Sequence, residues 1–151
     1  MARFRYRMQN ILTVKEKLET QAKNEYAAAN MRLMEEEEKL EKLNQRGIFL
    51  EDEGRRLVQE SSLSIRDIED NKLSIELNKE AIADQKKAIK RAEEVLEQKR
   101  LAMVELMQDR KTHEILKERA FQEFLQEEKA EESKQIDQLT SYTYGQKMKE
   151  G

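Results

Sequence analysis

The sequence predicts an all-α protein, a long two-helix antiparallel coiled-coil hairpin, and three observations carry that reading. Apolar residues recur at alternating steps of three and four over most of the 151 residues, the spacing of a left-handed coiled-coil seam. Proline is absent, so no residue removes a helical donor or clashes with the preceding turn. Charged residues make up 40% of the chain and hydrophobic residues 37%. That leaves too few apolar side chains for a compact globule but fits the profile of a long helix or coiled coil. The sustained periodicity sets aside disorder, the competing reading of so polar a composition.

The first helix is expected over about residues 3–60. Its seam reads Phe4, Met8, Ile11, Leu18, Ala22, Ala29 and Leu33, then Leu40, Leu43, Leu50 and Leu57. Gly47 and Gly54 fall on the same stripe, one heptad apart. A glycine inside a helix costs about 1 kcal/mol relative to alanine. The pair either loosens the helix near a turn or lets a partner backbone approach closely, and looseness is the favoured reading.

The pattern breaks at Ser61-Ser62-Leu63-Ser64, a turn expected over about 61–64. Ser64 followed by Asp67 is a capping-box variant that opens a second helix, expected over about 65–140. Ile68, Ile75, Ile82, Ile89, Leu96 and Met103 recur there at strict seven-residue intervals. Between them lie Asn71, Asn78, Gln85 and Ala92, polar or small seam residues that lower stability and fix register. Leu106, Met107, Leu116, Phe121, Phe124 and Leu125 continue the apolar face to Ile136 and Leu139, and a frayed tail is expected over 141–151, around Gly145. The whole chain is read as one elongated helical hairpin.

Charge supports the fold-back. A hairpin centred near residue 62 places position i opposite roughly 124 − i. Glu35-Glu36-Glu37-Glu38 then face Lys86, Lys87, Lys90 and Arg91. Arg55 and Arg56 face Asp67, Glu69 and Asp70, while Arg3, Arg5 and Arg7 lie near Glu118 and Glu123. At 1.5 Å per residue the first helix would span about 85 Å, and residues beyond about 122 would extend past the N-terminus.

No enzymatic constellation is legible. The 29 cations and 32 anions give a net charge of −3, a balance suited to ion pairing and not to nucleic acid. Without cysteine there is no disulfide or thiolate metal site, which fits a reducing cytoplasm. His113 has no second histidine to share a metal and reads as a seam or seam-edge residue. The glycines are isolated and form no phosphate-binding loop, so neither cofactor nor metal is expected. Met31, Met34, Met103 and Met107 read as core filling, although flexible methionine surfaces also suit adaptable partner contacts. No stretch approaches the apolar length of a membrane span, and no secretory signal is legible. Arg3-Phe4-Arg5-Tyr6-Arg7-Met8 is the most unusual segment, because basic charge at a helix N-terminus is disfavoured by the macrodipole. It suggests an acidic partner, within the hairpin or outside it.

Phe4-Arg5-Tyr6-Arg7-Met8-Gln9-Asn10-Ile11-Leu12, running into Val14-Lys15-Glu16-Lys17-Leu18-Glu19, resembles the start of FliJ-type flagellar export proteins. The segments Ser64-Ile65-Arg66-Asp67-Ile68 and Glu127-Glu128-Lys129-Ala130-Glu131-Glu132 are similar too, as is the two-helix layout. The resemblance implies a non-enzymatic cytoplasmic coiled coil of the flagellar type III export apparatus, peripherally associated with the inner face of the cell membrane at the flagellar base. It implies engagement of the hexameric export ATPase, of the cytoplasmic domain of the export-gate membrane protein, and escort of substrate chaperones. By that analogy Arg3, Phe4, Arg5, Tyr6, Arg7, Met8, Phe121 and Phe124 would form the ATPase end. Leu73, Ile75, Leu77, Asn78 and Ile82 would contribute to the gate contact. The alternatives left open are a generic coiled-coil scaffold or substrate-holding chaperone, including a counterpart in a virulence secretion system, a peripheral membrane binder acting through the basic N-terminus, and, in architecture, two chains pairing through one long helix.

Overall fold

The computed structural model describes residues 2–150. Its elements among those residues are two helices, α1 (Gln9–Gln59) and α2 (Ile65–Glu150), paired as an antiparallel hairpin coiled coil. The chain groups into two compact regions. One is Gln21–Val104; the other joins the N-terminal residues through Thr20 to the chain from Glu105 onward.

Within Gln21–Val104 the α1 seam runs in strict heptads, with Ala22, Ala29, Leu50 and Leu57 buried and Tyr26, Leu33, Leu40, Leu43, Gly47 and Gly54 half-buried between them. The α2 seam answers with Ile68, Ile75, Ile82, Ile89 and Leu96, all half-buried. Three side-chain amides on α2 fix the register. Asn71 Nδ2 donates to the Leu50 carbonyl at 2.9 Å, Asn78 Nδ2 to the Leu43 carbonyl at 3.0 Å, and Gln85 Nε2 to the Glu36 carbonyl at 2.8 Å. Seven residues forward on α2 is seven residues back on α1.

The two glycines belong to this ladder. A Cβ on Gly54 would lie 2.6 Å from Asn71 Oδ1, and one on Gly47 would lie 3.1 Å from Asn78 Nδ2. Each asparagine reaches the carbonyl that also accepts the glycine N–H one turn later along α1, and a side chain there would block it. At the third rung Leu40 occupies the position equivalent to glycine, and the longer glutamine reaches past it. Gly47 and Gly54 are therefore sites of close helix approach, which corrects the expectation of looseness.

Ser64 Oγ accepts the Asp67 N–H at 3.3 Å, and the Ile68 N–H bonds to the Ser64 carbonyl at 3.1 Å. The serine half of the capping box thus starts α2. No described residue has positive φ, so the turn needs no left-handed position.

In the other region the seam is more polar than its sequence suggests. Leu12 is almost fully buried, and Glu19 is only 4% exposed, held by the guanidinium of Arg110. Lys15 meets Asp109 at 3.4 Å, and Lys117 donates to Gln9 at 2.7 Å. Ile11 and Leu18, expected on the seam, are instead partly exposed beside it. The heptad frame that is correct from Ala22 onward extends back through Glu19, Lys15 and Leu12, one residue away from the hydrophobic choices.

Three further expectations differ from the structure. Helix α1 begins at Gln9 and not at residue 3, because residues 3–7 follow a period of two: Phe4 and Tyr6 turn inward while Arg3, Arg5 and Arg7 stay exposed. A helix would point residues two apart to different faces. Helix α2 continues past 140 to Glu150, with residues 129–149 exposed; the expected end of the tail, Gly151, lies outside the described residues. The charge blocks mostly pair within their own helices. Arg55 bonds Asp52, Arg56 bonds Glu53 and Glu60, and Glu36 is held by Arg32 and Lys39, each at 3.3 Å. Cross-helix ion pairs form elsewhere, as at Glu25–Lys99, 3.2 Å apart. Partners three or four residues away on one helix are simply nearer.

Candidate partner-binding site

The N-terminal segment and the middle of α2 form one surface. The Phe4 ring sits 5.1 Å from that of Phe121, edge-on at 65°, and 5.4 Å from that of Phe124, separations at which aromatic pairs attract beyond simple burial. The Gln9 N–H bonds to the Tyr6 carbonyl at 3.2 Å, and the Leu12 N–H to the Met8 carbonyl at 3.1 Å, so the extended segment turns directly into α1. A groove of about 450 Å³ follows, lined by Arg3 through Met8 with Phe124, Glu123 and Glu127 among the α2 residues. All eight residues expected at an ATPase-binding end are thus brought into one neighbourhood. The expected ion pairs of Arg3, Arg5 and Arg7 with Glu118 and Glu123 do not form among the described residues; the three guanidiniums are exposed. The Tyr6 hydroxyl is buried without a hydrogen-bond partner.

The second expected set divides. Leu73 and Leu77 are 59% and 55% exposed and, four residues apart, share one face of α2. Ile75 and Ile82 are half-buried seam residues. Asn78 is buried, with its amide bonded to the Leu43 carbonyl, so it presents no exposed polar group to a partner.

Residues that hydrophobic patterning missed carry the electrostatics. The Gln85 amide, donating to Glu36 Oε2 at 2.6 Å, holds the Glu36 carboxyl below its ordinary value, with Lys39 and Arg32 assisting against desolvation. The carboxylates of Glu19 and Glu114 raise the Arg110 pKa. Such pairs are legible only once the register is known. His113 is half-buried on the α2 seam, and its Nδ1 has no hydrogen-bond partner. Among the described residues no group of three His, Cys, Asp or Glu could hold a metal, and no helix is long and apolar enough to cross a membrane.

Comparison with known proteins bears on the fold and the family of the chain. A solved structure described as that of a YscO homolog, CT670 from Chlamydia trachomatis, superposes with a TM-score of 0.78 at 17% identity, covering 99% of this chain and 100% of that one. The fold is shared. No curated protein sequence matches. The family model described as "Flagellar FliJ protein" matches residues 4–149. With all of α1, nearly all of α2 and Phe4 through Met8 inside that match, the chain belongs to the FliJ family of type III export-related proteins.

Proposed function

We propose that the chain is a non-enzymatic coiled-coil stalk of the flagellar export apparatus that engages the export ATPase ring through its N-terminal surface. The observation that carries this reading is the Phe4–Phe121–Phe124 cluster beneath three exposed arginines that form no ion pair among the described residues. Aromatic and arginine side chains are the residue types that dominate binding energy at protein interfaces. Here the N-terminal segment is held against α2 through the Phe4 contacts with Phe121 and Phe124. A partner presenting carboxylates would satisfy the arginines, and one reaching Tyr6 would relieve its unpartnered hydroxyl.

Leu73 and Leu77 then contribute to contact with the cytoplasmic domain of the export gate. Escort of substrate chaperones, a cytoplasmic location and peripheral association with the membrane at the flagellar base belong to the same proposal. The YscO-homolog likeness raises one alternative, the equivalent part in a virulence secretion system.

The test is to add the full chain to the purified export ATPase and follow hydrolysis and hexamer formation. Hydrolysis is expected to rise with hexamer assembly. Reversing Arg3, Arg5 and Arg7 to Glu should weaken the effect more than reversing Glu35, Glu37 and Glu38 to Lys. An unchanged rate and oligomeric state with the wild-type chain would overturn the proposal.

A further inference from the structure

Near the turn, the Gln21–Val104 region carries a surface groove of about 600 Å³ between α1 and α2. It exists because Gly54 presents no side chain, and the Asn71 contact forbids one. Ile68 and Ile75 line it, and Val58 stands on the α1 bank. The bank continues as a helical stripe, Ile48, Glu51, Arg55 and Val58, at steps of three and four. The facing α2 bank reads Ile65, Glu69 and Lys72 at the same kind of spacing. Ile48, Val58 and Ile65 are 56%, 63% and 74% exposed. Glu51, Glu69 and Lys72 are exposed and make no ion pair among the described residues.

We propose that this face is a self-association surface, on which two copies of the chain pack groove to groove about a two-fold axis parallel to the helices. The charges identify the occupant. Each bank carries both signs, so a uniformly acidic or uniformly basic helix is repelled by part of each bank. A second copy is not. The Asn71–Leu50 rung sets Glu51 level with Lys72, Arg55 with Glu69 and Val58 with Ile65, each within about one helical turn.

An axis parallel to the helices keeps every residue at its level and lays α1 of one copy over α2 of the other. Glu51 then faces Lys72 of the second copy, Arg55 faces its Glu69, and Val58 packs on its Ile65. Two-fold symmetry repeats each contact. The groove opened by Gly54 receives the apolar side chains, and the product is a local four-helix bundle. The few apolar side chains per copy make the contact smaller than a permanent interface, so the dimer is weak and concentration-dependent. This surface is separate from the residues assigned to the ATPase end.

Sedimentation velocity on the full chain over a ~100-fold concentration range tests this. The wild type is expected to pass from monomer to dimer. Glu51→Lys should weaken the dimer about 10-fold, since symmetry reverses two contacts at once. Adding Lys72→Glu should restore it to within about 3-fold. Far-UV circular dichroism checks that each variant stays helical. If Glu51→Lys lost helicity, Lys72→Glu alone, reversing the other bank, should weaken the dimer comparably. A chain that is monomeric throughout overturns the proposal and leaves the groove to a different protein's helix. A dimer indifferent to the single reversals, or not restored by the double one, places self-association elsewhere and overturns it too.

Discussion

Replacing Gly54 with alanine sets two calculable effects against each other. In an open helical site the change stabilises by about 1 kcal/mol, because glycine has the larger backbone entropy to lose. At Gly54 the new Cβ would stand 2.6 Å from Asn71 Oδ1, inside van der Waals contact. The least disruptive response is rotation of Asn71, which breaks its 2.9 Å bond to the Leu50 carbonyl. Asn71 is buried, and an unsatisfied buried amide costs about 1–3 kcal/mol. The net expectation is a loss of about 1 kcal/mol, or roughly 3 °C in Tm for a chain of this size. With Asn71→Ala already in place the obstacle is gone, and Gly54→Ala should stabilise by about 1 kcal/mol. The sign therefore reverses between backgrounds, with a coupling of about 2 kcal/mol. Urea denaturation of the four chains of this cycle, followed by far-UV circular dichroism, measures it. Gly145, with nothing within 4 Å of its Cβ position, is the control, and alanine there should only raise helicity. Equal stabilisation by Gly54→Ala in both backgrounds would refute close packing at the rung.

Two other perturbations probe the polar seam. Arg110→Met removes the guanidinium that holds the buried Glu19 carboxylate and should lower the urea midpoint, whereas Glu19→Leu with Arg110→Met should recover or exceed the wild-type midpoint, because an apolar pair of similar volume avoids desolvating two charges. The Glu36 carboxyl is held below its ordinary value of 4.5, so its contribution is present above that pH and fades as pH falls through the lowered folded value. Midpoints measured below about pH 5 should therefore decline less steeply in Glu36→Gln than in the wild type.

The sequence exposed the hairpin because long stretches of it keep one rule. From Ala22 to Leu57, and from Ile68 to Met103, one heptad frame holds, with Glu36 the buried polar member on α1 and the seam amides Asn71, Asn78 and Gln85 falling where the heptad puts them on α2. The frame was misread where polar residues take the seam. Ile11 and Leu18 are the more hydrophobic choices, yet Leu12, Lys15 and Glu19 point inward, because a partner guanidinium and carboxylate on α2 make burial of Glu19 and Lys15 tolerable. That compensation lies about ninety residues away along the chain. Gly47 and Gly54 looked like weak points because local propensity carries no information about the asparagines across the seam. At the candidate site the alternation of Arg3, Phe4, Arg5, Tyr6 and Arg7 was a visible period-two signal, and it outweighed the helical frame that follows. Phe121 and Phe124 were legible as apolar α2 residues; that Phe4 lies against both required the register.

The helix-pair register underlies every cross-helix contact described above, and one distance tests it directly. The chain has no cysteine, so cysteines introduced at the exposed positions Asn44 and Lys79 would carry the only spin labels. Both flank the Leu43–Asn78 rung on the same side. With labelled chains diluted into unlabelled ones, a narrow distribution at about 20 Å or less is expected, from an interaxial separation of about 8–10 Å plus the label arms. A distribution centred near 50 Å, the span of the intervening residues in one continuous helix at 1.5 Å each, would contradict the hairpin.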